Sequence, residues 1–350
     1  MMTARSLRRE GMNVRILERG ELGQESTWAG GGILSPLYPW RYDDAINRLA
    51  RYSHDRYPEL ARELQEASGI DPEFRKSGLL VMDPQEHAAG IDWSRRWRMP
   101  VEYLDAADFH QLEPGLSRPN DEVLHFPGIG QLRNPRLGKA LAGGVKTLGI
   151  ECHIHGEVNQ LLQEHSRIRG VTTVSGETYY ADQVVVAGGA WSPQLFPSDI
   201  LAPDVAPVKG QMMIYRAEPE TLHSIVLNQG RYLIPRKDGR ILIGSTLENA
   251  GFDKTPTEVA RQQLHQAAIR LLPDLENYAI EHHWAGLRPG THNGIPYIGE
   301  HPEVSGLYLN TGHFRNGVIL GLASAELLKN IMLDEVPIVD PIPYSLQSEH

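Results

Sequence analysis

Trp284-Ala285-Gly286-Leu287-Arg288-Pro289-Gly290-Thr291, then Gly294-Ile295-Pro296-Tyr297-Ile298-Gly299, then Gly312-His313-Phe314-Arg315-Asn316-Gly317 stand in one stretch near the end of the chain. Arg288 and Arg315 sit among glycines and prolines, which is turn composition, and stiff turn backbone can aim a cation at a small anion. The run after Asn316 is small and apolar to about Leu333 and reads as a helix. A helix N-terminus favours negative charge, so the second arginine stands where an anion is welcome. Such a pair suits a site that holds a carboxylate beside an electron-rich ring.

Upstream, Thr3 to Arg9 reads as a helix stopped by Gly11, and Val14-Arg15-Ile16-Leu17-Glu18 as a strand closed by an acid. In a dinucleotide-binding unit a strand and G-x-G-x-x-G precede such a helix, and the acid ending the second strand holds a ribose. Here the helix, second strand and acid are present, while the first strand and its glycines are not. Taken alone, Glu18 is equally a solvated strand end. Ser26-Thr27-Trp28-Ala29-Gly30-Gly31-Gly32 follows, with two hydroxyls suited to phosphate and small residues that let backbone approach a ligand.

Asp43 to Ala67 reads as one helix, Gly78 to Met82 as a strand, and Gln85 to Leu116 as mixed short helices. Pro135 to Leu148 reads as a helix with Asn134 as its cap, followed by a strand over Ile150 to Ile154. Glu157 to Leu162, Ile168 to Val174 and Glu177 to Tyr180 form a meander. Asp182 to Ser192 begins with a β-branched run and ends in small residues, the pattern of a buried parallel strand whose tip touches a ligand. Gly210 to Tyr215, Gly230 to Pro235 and Arg240 to Ser245 suit an antiparallel sheet. Thr255-Pro256-Thr257-Glu258 reads as a capping box with Pro at the first helical position, opening a helix to about Leu272. Leu307 to Thr311 is the last strand.

The chain has 350 residues, 41% hydrophobic and 22% charged, enough for a globular core. Its net charge of −10 argues against nucleic acid as a partner. Cys152 is the only cysteine, so no disulfide forms within the chain, as suits a reducing compartment. No apolar run is long enough to span a bilayer and the N-terminus lacks a secretory apolar core, so no stable membrane association and a cytoplasmic location are expected. His153 and His155, and the adjacent His282 and His283, form no Cys/His ligand cluster, and there is no H-E-x-x-H, so no metal is expected. No G-x-S-x-G elbow appears, which disfavours a serine hydrolase. Read singly, Arg288 is also a turn arginine in search of a carboxylate, Tyr232 a core tyrosine, and Arg315 a surface ion-pair partner.

In their order along the chain, Val14 to Glu18, Ser26 to Gly32, Val184 to Trp191, Tyr232-Leu233-Ile234-Pro235-Arg236, Trp284 to Thr291 and Gly312 to Gly317 resemble the D-amino-acid oxidase family of flavoenzymes, most closely its glycine-oxidising branch in thiamin biosynthesis. The resemblance runs from Thr3 to about Leu333. It implies an α/β fold in which an N-terminally truncated, Rossmann-like FAD-binding domain (1–70, 134–205 and 296–340) interleaves with an antiparallel-sheet substrate domain (71–133 and 206–295), leaving 341–350 as a tail. It implies noncovalent FAD held by Glu18, Ser26, Thr27, Ala29, Gly30, Val158, Ala187, Gly188, Trp191, His313, Phe314, Arg315, Asn316 and Gly317. Arg288 would grip the substrate carboxylate, with Tyr232 and Arg315 beside it.

The implied reaction is oxidative deamination of glycine and other small amino acids. A hydride passes to the flavin, molecular oxygen is the acceptor, and imine and H2O2 are the products. A homotetramer is the assembly the resemblance suggests. A D-amino-acid dehydrogenase and a sarcosine oxidase-like enzyme are the alternatives within the family; the latter would need a flavin-linked cysteine in the C-terminal half. Two departures stand out: the glycine fingerprint is missing, and position 247 is Leu247 where some members carry Met. Loss of a central strand with four or so large apolar side chains removes roughly 6–12 kcal/mol. On that ground a cofactor-deficient, non-enzymatic remnant is a further alternative, and this chain is expected to bind FAD poorly unless its native start lies upstream.

Overall fold

The computed structural model describes residues 1–119 and 121–348. Helix α1 (Met2–Arg9) leads through Gly11, which takes φ +85°, into β1 (Arg15–Glu18). A one-turn helix α2 (Ser26–Ala29) precedes α3 (Asp44–His54) and α4 (Tyr57–Ser68). The single helix expected over Asp43 to Ala67 is thus two. Pro58 in the first turn of α4 cannot donate a backbone bond, and its ring would collide with the carbonyl of His54 if the helix ran on.

Next come β2 (Arg75–Lys76), β3 (Leu79–Val81), α5 (His87–Trp97), β4 (Glu102–Leu104), α6 (Ala106–Leu112), β5 (Val123–Phe126) and β6 (Gly130–Gln131). Helix α7 (Asn134–Thr147) is not capped by Asn134: Arg133 holds the cap position, and the Asn134 amide nitrogen donates to the Thr27 carbonyl at 2.8 Å. β7 (Glu151–Ile154) pairs in parallel with β1. β8 (Val158–Glu164), β9 (Arg167–Thr173) and β10 (Thr178–Tyr180) form the expected meander. β11 (Val184–Val186) is followed by the long β12 (Ala206–Tyr215), β13 (Ile225–Asn228), β14 (Arg231–Pro235) and β15 (Ile241–Gly244). Helix α8 (Glu258–Leu271) is capped by Thr257, whose hydroxyl accepts from the Ala260 amide, so Pro256 lies before the cap and the box expected from Thr255 does not form. The chain closes with β16 (Ile280–Gly290), β17 (Tyr297–Glu300), β18 (Leu307–Thr311) and α9 (Gly317–Met332).

Eight strands make one large sheet in the order β16-β12-β15-β14-β13-β3-β5-β4. Its alternation is visible in the core. Met213, Leu233 and Ile243 face Leu264 and Ala268 of α8, while Met212, Ile234 and Leu242 face the opposite way with Tyr38 and Tyr232. Most strands are antiparallel, but β13 runs parallel to β3. The remaining parallel pairs fall in two sets that share no ladder bonds, β1 with β7 and β11 with β18, the latter extended by β17 running antiparallel to β18. A separate apolar core from α3, α4, α7 and α9 packs behind them, with Ile46, Leu49, Leu64, Leu320 and Leu327 fully buried. The expected tail is anchored: Tyr344 is buried and its hydroxyl donates to the Ala45 carbonyl at 2.7 Å. Glu349 and His350, part of that tail, lie outside the described residues.

Candidate active site

Arg288 lies on a strand and not in a turn. β16 is an edge strand, where Pro289 costs no ladder bond, and Arg288 stands opposite Val208 of β12. Its side chain crosses β12 at Gly210, where a Cβ would land on the guanidinium. The absence of a side chain there is what lets the arginine lie flat on the sheet. Beyond Gly210 its Nη2 donates to Ser245 Oγ at 2.7 Å and Nη1 to the Thr246 carbonyl at 3.2 Å. Tyr232 comes in from β14 over Gly244, where a Cβ would stand 2.6 Å from the phenol oxygen. The Tyr232 hydroxyl makes a further bond with Arg288 and a weak one to Met212 Sδ at 3.8 Å.

No acid partners this cation among the described residues. Burial pulls the Arg288 pKa below its usual value; Tyr232 opposes the shift and the nearby charge of Arg315 adds to it. Arg231 is lowered in the same way, by burial first, with Arg315 again contributing. Its guanidinium donates to the Ser245 carbonyl, so Ser245 is held by two arginines. Three guanidiniums therefore share a field, none of them ion-paired among the described residues, which is the electrostatics of a site that awaits an anion.

The turn carrying Arg315 is tied to this strand. The Phe314 amide donates to the Pro289 carbonyl at 2.9 Å, with Phe314 held at φ +46°, a conformation rare for a bulky residue. His313 bonds through Nε2 to Ser324 Oγ at 3.0 Å, and burial pushes its pKa down to about 4, so the ring is neutral near pH 7. Asn316 stands at the N-cap of α9 without capping it, the first turn holds no acid, and its buried Nδ2 has no partner. The start of α9 thus presents unsatisfied donors beside Arg315.

The segment of α2 is clamped between the two halves. Ser26 Oγ donates to the Leu287 carbonyl at 2.6 Å, so this hydroxyl is not free to donate to a phosphate as expected. Thr27 and Gly30 meet Asn134, and the Ala29 carbonyl accepts from Trp284 Nε1 at 3.1 Å. Gly31 faces Ile234 and Tyr232. Further away, the Glu18 carboxylate accepts from the Gly20 amide at 2.9 Å, and the Gly156 amide bonds the Glu18 carbonyl, bringing the acid to the start of β8 and Val158. Ala187 and Gly188 are exposed at the end of β11. Trp191, one turn on, lies under the Arg19 guanidinium at 3.6 Å, a contact that bridges β1 and β11.

The sequence reading missed Arg231, Ser245, Thr246 and Gly210. Arg231 adjoins Tyr232 and could have been noted as a second cation; the others emerge only from the register that sets β12 and β15 beside β16.

An uncapped helix start with a buried unpartnered amide, open small residues at the tip of a parallel strand and an acid ending a neighbouring strand fit a dinucleotide, and a lone buried arginine fits a carboxylate. The model of the FAD-dependent oxidoreductases known as DAO matches residues 1–331. The chain belongs to that family, and FAD is its cofactor. Among its relatives, a glycine oxidase of Pseudomonas aeruginosa is 44% identical over 99% of this chain and 95% of its own length. The "Bifunctional protein ThiO/ThiG" of Trichormus variabilis is 31% identical over 97% of this chain and 52% of its own. The crystal structure of glycine oxidase from Geobacillus kaustophilus superposes with a TM-score of 0.93 at 30% identity, covering 100% of this chain and 95% of that one.

Proposed function

We propose that this chain is an FAD-dependent amino-acid oxidase acting on glycine and other small amino acids, in service of thiamin thiazole synthesis. The observation that carries the reading is Arg288: a cation laid flat on the sheet, braced by Ser245 and Thr246, with Tyr232 at its side and no acid partner among the described residues. The glycine oxidases and the ThiO/ThiG fusion among its relatives support the substrate and the pathway. The reading assigns residues 1–70, 134–205 and 296–340 to the cofactor domain and 71–133 and 206–295 to the substrate domain.

In this reading Arg288 takes the substrate carboxylate through two parallel N–H bonds, and Tyr232 adds a third donor. Each such charge-assisted bond contributes on the order of 1.5–3 kcal/mol and fixes the direction of the α-carbon. The field of Arg231, Arg288 and Arg315 has a second effect: it disfavours an ammonium and holds the substrate nitrogen as the neutral amine, the form whose lone pair drives oxidation. No side-chain base is required. When bound, FAD would supply the two-electron acceptor, with oxygen as the final oxidant. Glu18 and Val158 would hold the adenosine end, Ala187, Gly188 and Trp191 the middle, and His313 to Gly317 the ring end. The donors at the start of α9 would then face that end and favour negative charge on it.

Cys152 packs on β7 near Ala4 and Val145, on a strand away from Arg288, which favours noncovalent cofactor over a cysteine-linked one. Among the described residues no helix is long and apolar enough to cross a membrane, and a cytoplasmic location and a homotetramer complete the proposal. The test is a purified sample with a flavin absorbance band that releases peroxide and ammonia with glycine, compared with D-alanine and D-proline. A protein that carries flavin and oxidises none of them refutes the substrate assignment; one that takes up no FAD refutes the whole reading.

A further inference from the structure

A cavity of about 490 Å³ opens on the α8 side of the large sheet, across from the face that carries Tyr232. Arg118, Arg231 and Arg270 line it, with Asp121 the one acid in its wall, and none of the three arginines is ion-paired among the described residues. In a chain of net charge −10, three unpaired guanidiniums around one recess are a marked excess of positive charge. The carbonyl of Leu271, at the end of α8, accepts from the Ser117 amide at 2.8 Å, which satisfies one of the acceptors of this helix end. Arg270 also suits the C-terminal end of α8, but that role asks for neither Arg118 nor Arg231.

Arg231 connects the recess to the site described above. It donates to the Ser245 carbonyl, while Ser245 Oγ accepts from Arg288. Movement of Arg231 toward a ligand therefore acts on the residue that braces Arg288. The geometry of the recess selects the ligand class. A planar carboxylate satisfies one guanidinium fork, whereas a tetrahedral group with three terminal oxygens accepts from three forks that approach from different elements. The volume leaves room for an organic portion beyond the anion.

We propose that this recess binds a small phosphomonoester through Arg118, Arg231 and Arg270, and that its binding changes the grip of Arg288 on the amino-acid carboxylate through Ser245. The binding half stands on the recess alone; the coupling half rests on the amino-acid oxidase reading.

The test uses holoenzyme titrated with glycerol 3-phosphate and with inorganic phosphate, against potassium chloride at matched ionic strength. Thermal unfolding is followed first, then KM for glycine. The expected result is a saturable rise in Tm beyond the chloride control. An Arg118→Ala/Arg270→Ala variant, altered only at exposed side chains, weakens the apparent Kd about tenfold or more. KM shifts about fivefold in the parent and not in the variant. No rise beyond chloride overturns the proposal. A rise of equal affinity in the variant also overturns it, since the anion then sits at Arg288 and Arg315 or at the cofactor site. Binding without a KM shift removes the coupling half. A protein without oxidase activity whose Tm rise still depends on Arg118 and Arg270 upholds the binding half and refutes the oxidase reading instead.

Discussion

Arg288 on β16 and Glu18 on β1 are both charged groups placed by strands, but the sheets beneath them differ. β16 borders an eight-stranded sheet with an apolar core on each face, and Arg288 has protein acceptors for both of its terminal nitrogens. β1 pairs only with β7 among the described residues, its side chains are exposed or half-buried, and the Glu18 carboxylate is met by a single amide. Arg288 is therefore held in place by the protein on its own, while the Glu18 carboxylate has little to hold it. Pre-organisation and ligand dependence stand side by side in one molecule, and they predict different responses to mutation.

Arg288→Ala should give the largest effect. Loss of a bidentate carboxylate clamp corresponds to about 3–6 kcal/mol, or a fall of about 10²–10⁴ in kcat/KM, expressed as a higher KM for every amino acid tested. Flavin content should not change, because the arginine is braced by the substrate sheet alone. Steady-state peroxide assays with absorbance spectra check both; an unaltered KM would falsify the assigned role.

Gly210→Ala should come next. A methyl group at this position displaces the guanidinium from across β12 and breaks its bonds to Ser245 and Thr246. A fall of about 10–100-fold in kcat/KM is expected together with a lower Tm, since the displaced guanidinium loses both of its braces. Equal kinetics for parent and variant would mean that the arginine grips from elsewhere. Glu18→Ala probes the other side. It should raise the apparent Kd for FAD about tenfold and leave KM for glycine alone once FAD is saturating. Fluorescence of released flavin measures the first quantity, and a variant that retains FAD as tightly as the parent would remove Glu18 from the cofactor set.

The same contrast explains what could be read from the sequence. The strands of the large sheet are short apolar runs between turn residues, so Gly210 to Tyr215, Gly230 to Pro235 and Arg240 to Ser245 were legible. Ile225 to Asn228 was not, because a short strand parallel to Leu79–Val81 is fixed by a partner far away in the chain. Gly and Pro around Arg288 suggested a turn, yet the stretch is an edge strand that pairs along β12 for its whole length. Composition cannot show that a proline's missing donor faces away from its neighbour. Arg288 and Arg315 were legible as cations suited to an anion, from residue type and Gly/Pro-rich surroundings, whereas Tyr232 came with the family resemblance. Their braces were not, since Ser245 and Thr246 reach Arg288 only through strand order. Ser26 was read for its hydroxyl, and tertiary contact with Leu287 claims that donor.

The smallest expected effect concerns His313, on the ligand-dependent side. Its pKa is pushed down to about 4 by burial from an ordinary value of 6.5, so the folded chain keeps the ring neutral at pH values where the unfolded chain protonates it. Between these values the unfolded state binds more protons, and stability must rise with pH. The contribution is complete above about pH 6.5 and is lost as pH falls toward 4. With part of the side chain exposed, about 1 kcal/mol should disappear between roughly pH 6.5 and 5. His313→Asn, which retains a hydrogen-bonding group toward Ser324, should flatten this part of the stability profile. Chemical denaturation of both proteins at several pH values measures the difference; parallel profiles would show that the ring is solvated and titrates normally. Repeating the series with excess FAD sharpens the comparison further. If His313 lies against the bound ring as proposed, the cofactor shields it more, and the gap between parent and variant should widen at low pH. An Arg288→Ala protein, altered only on the self-sufficient side, should keep the parental slope.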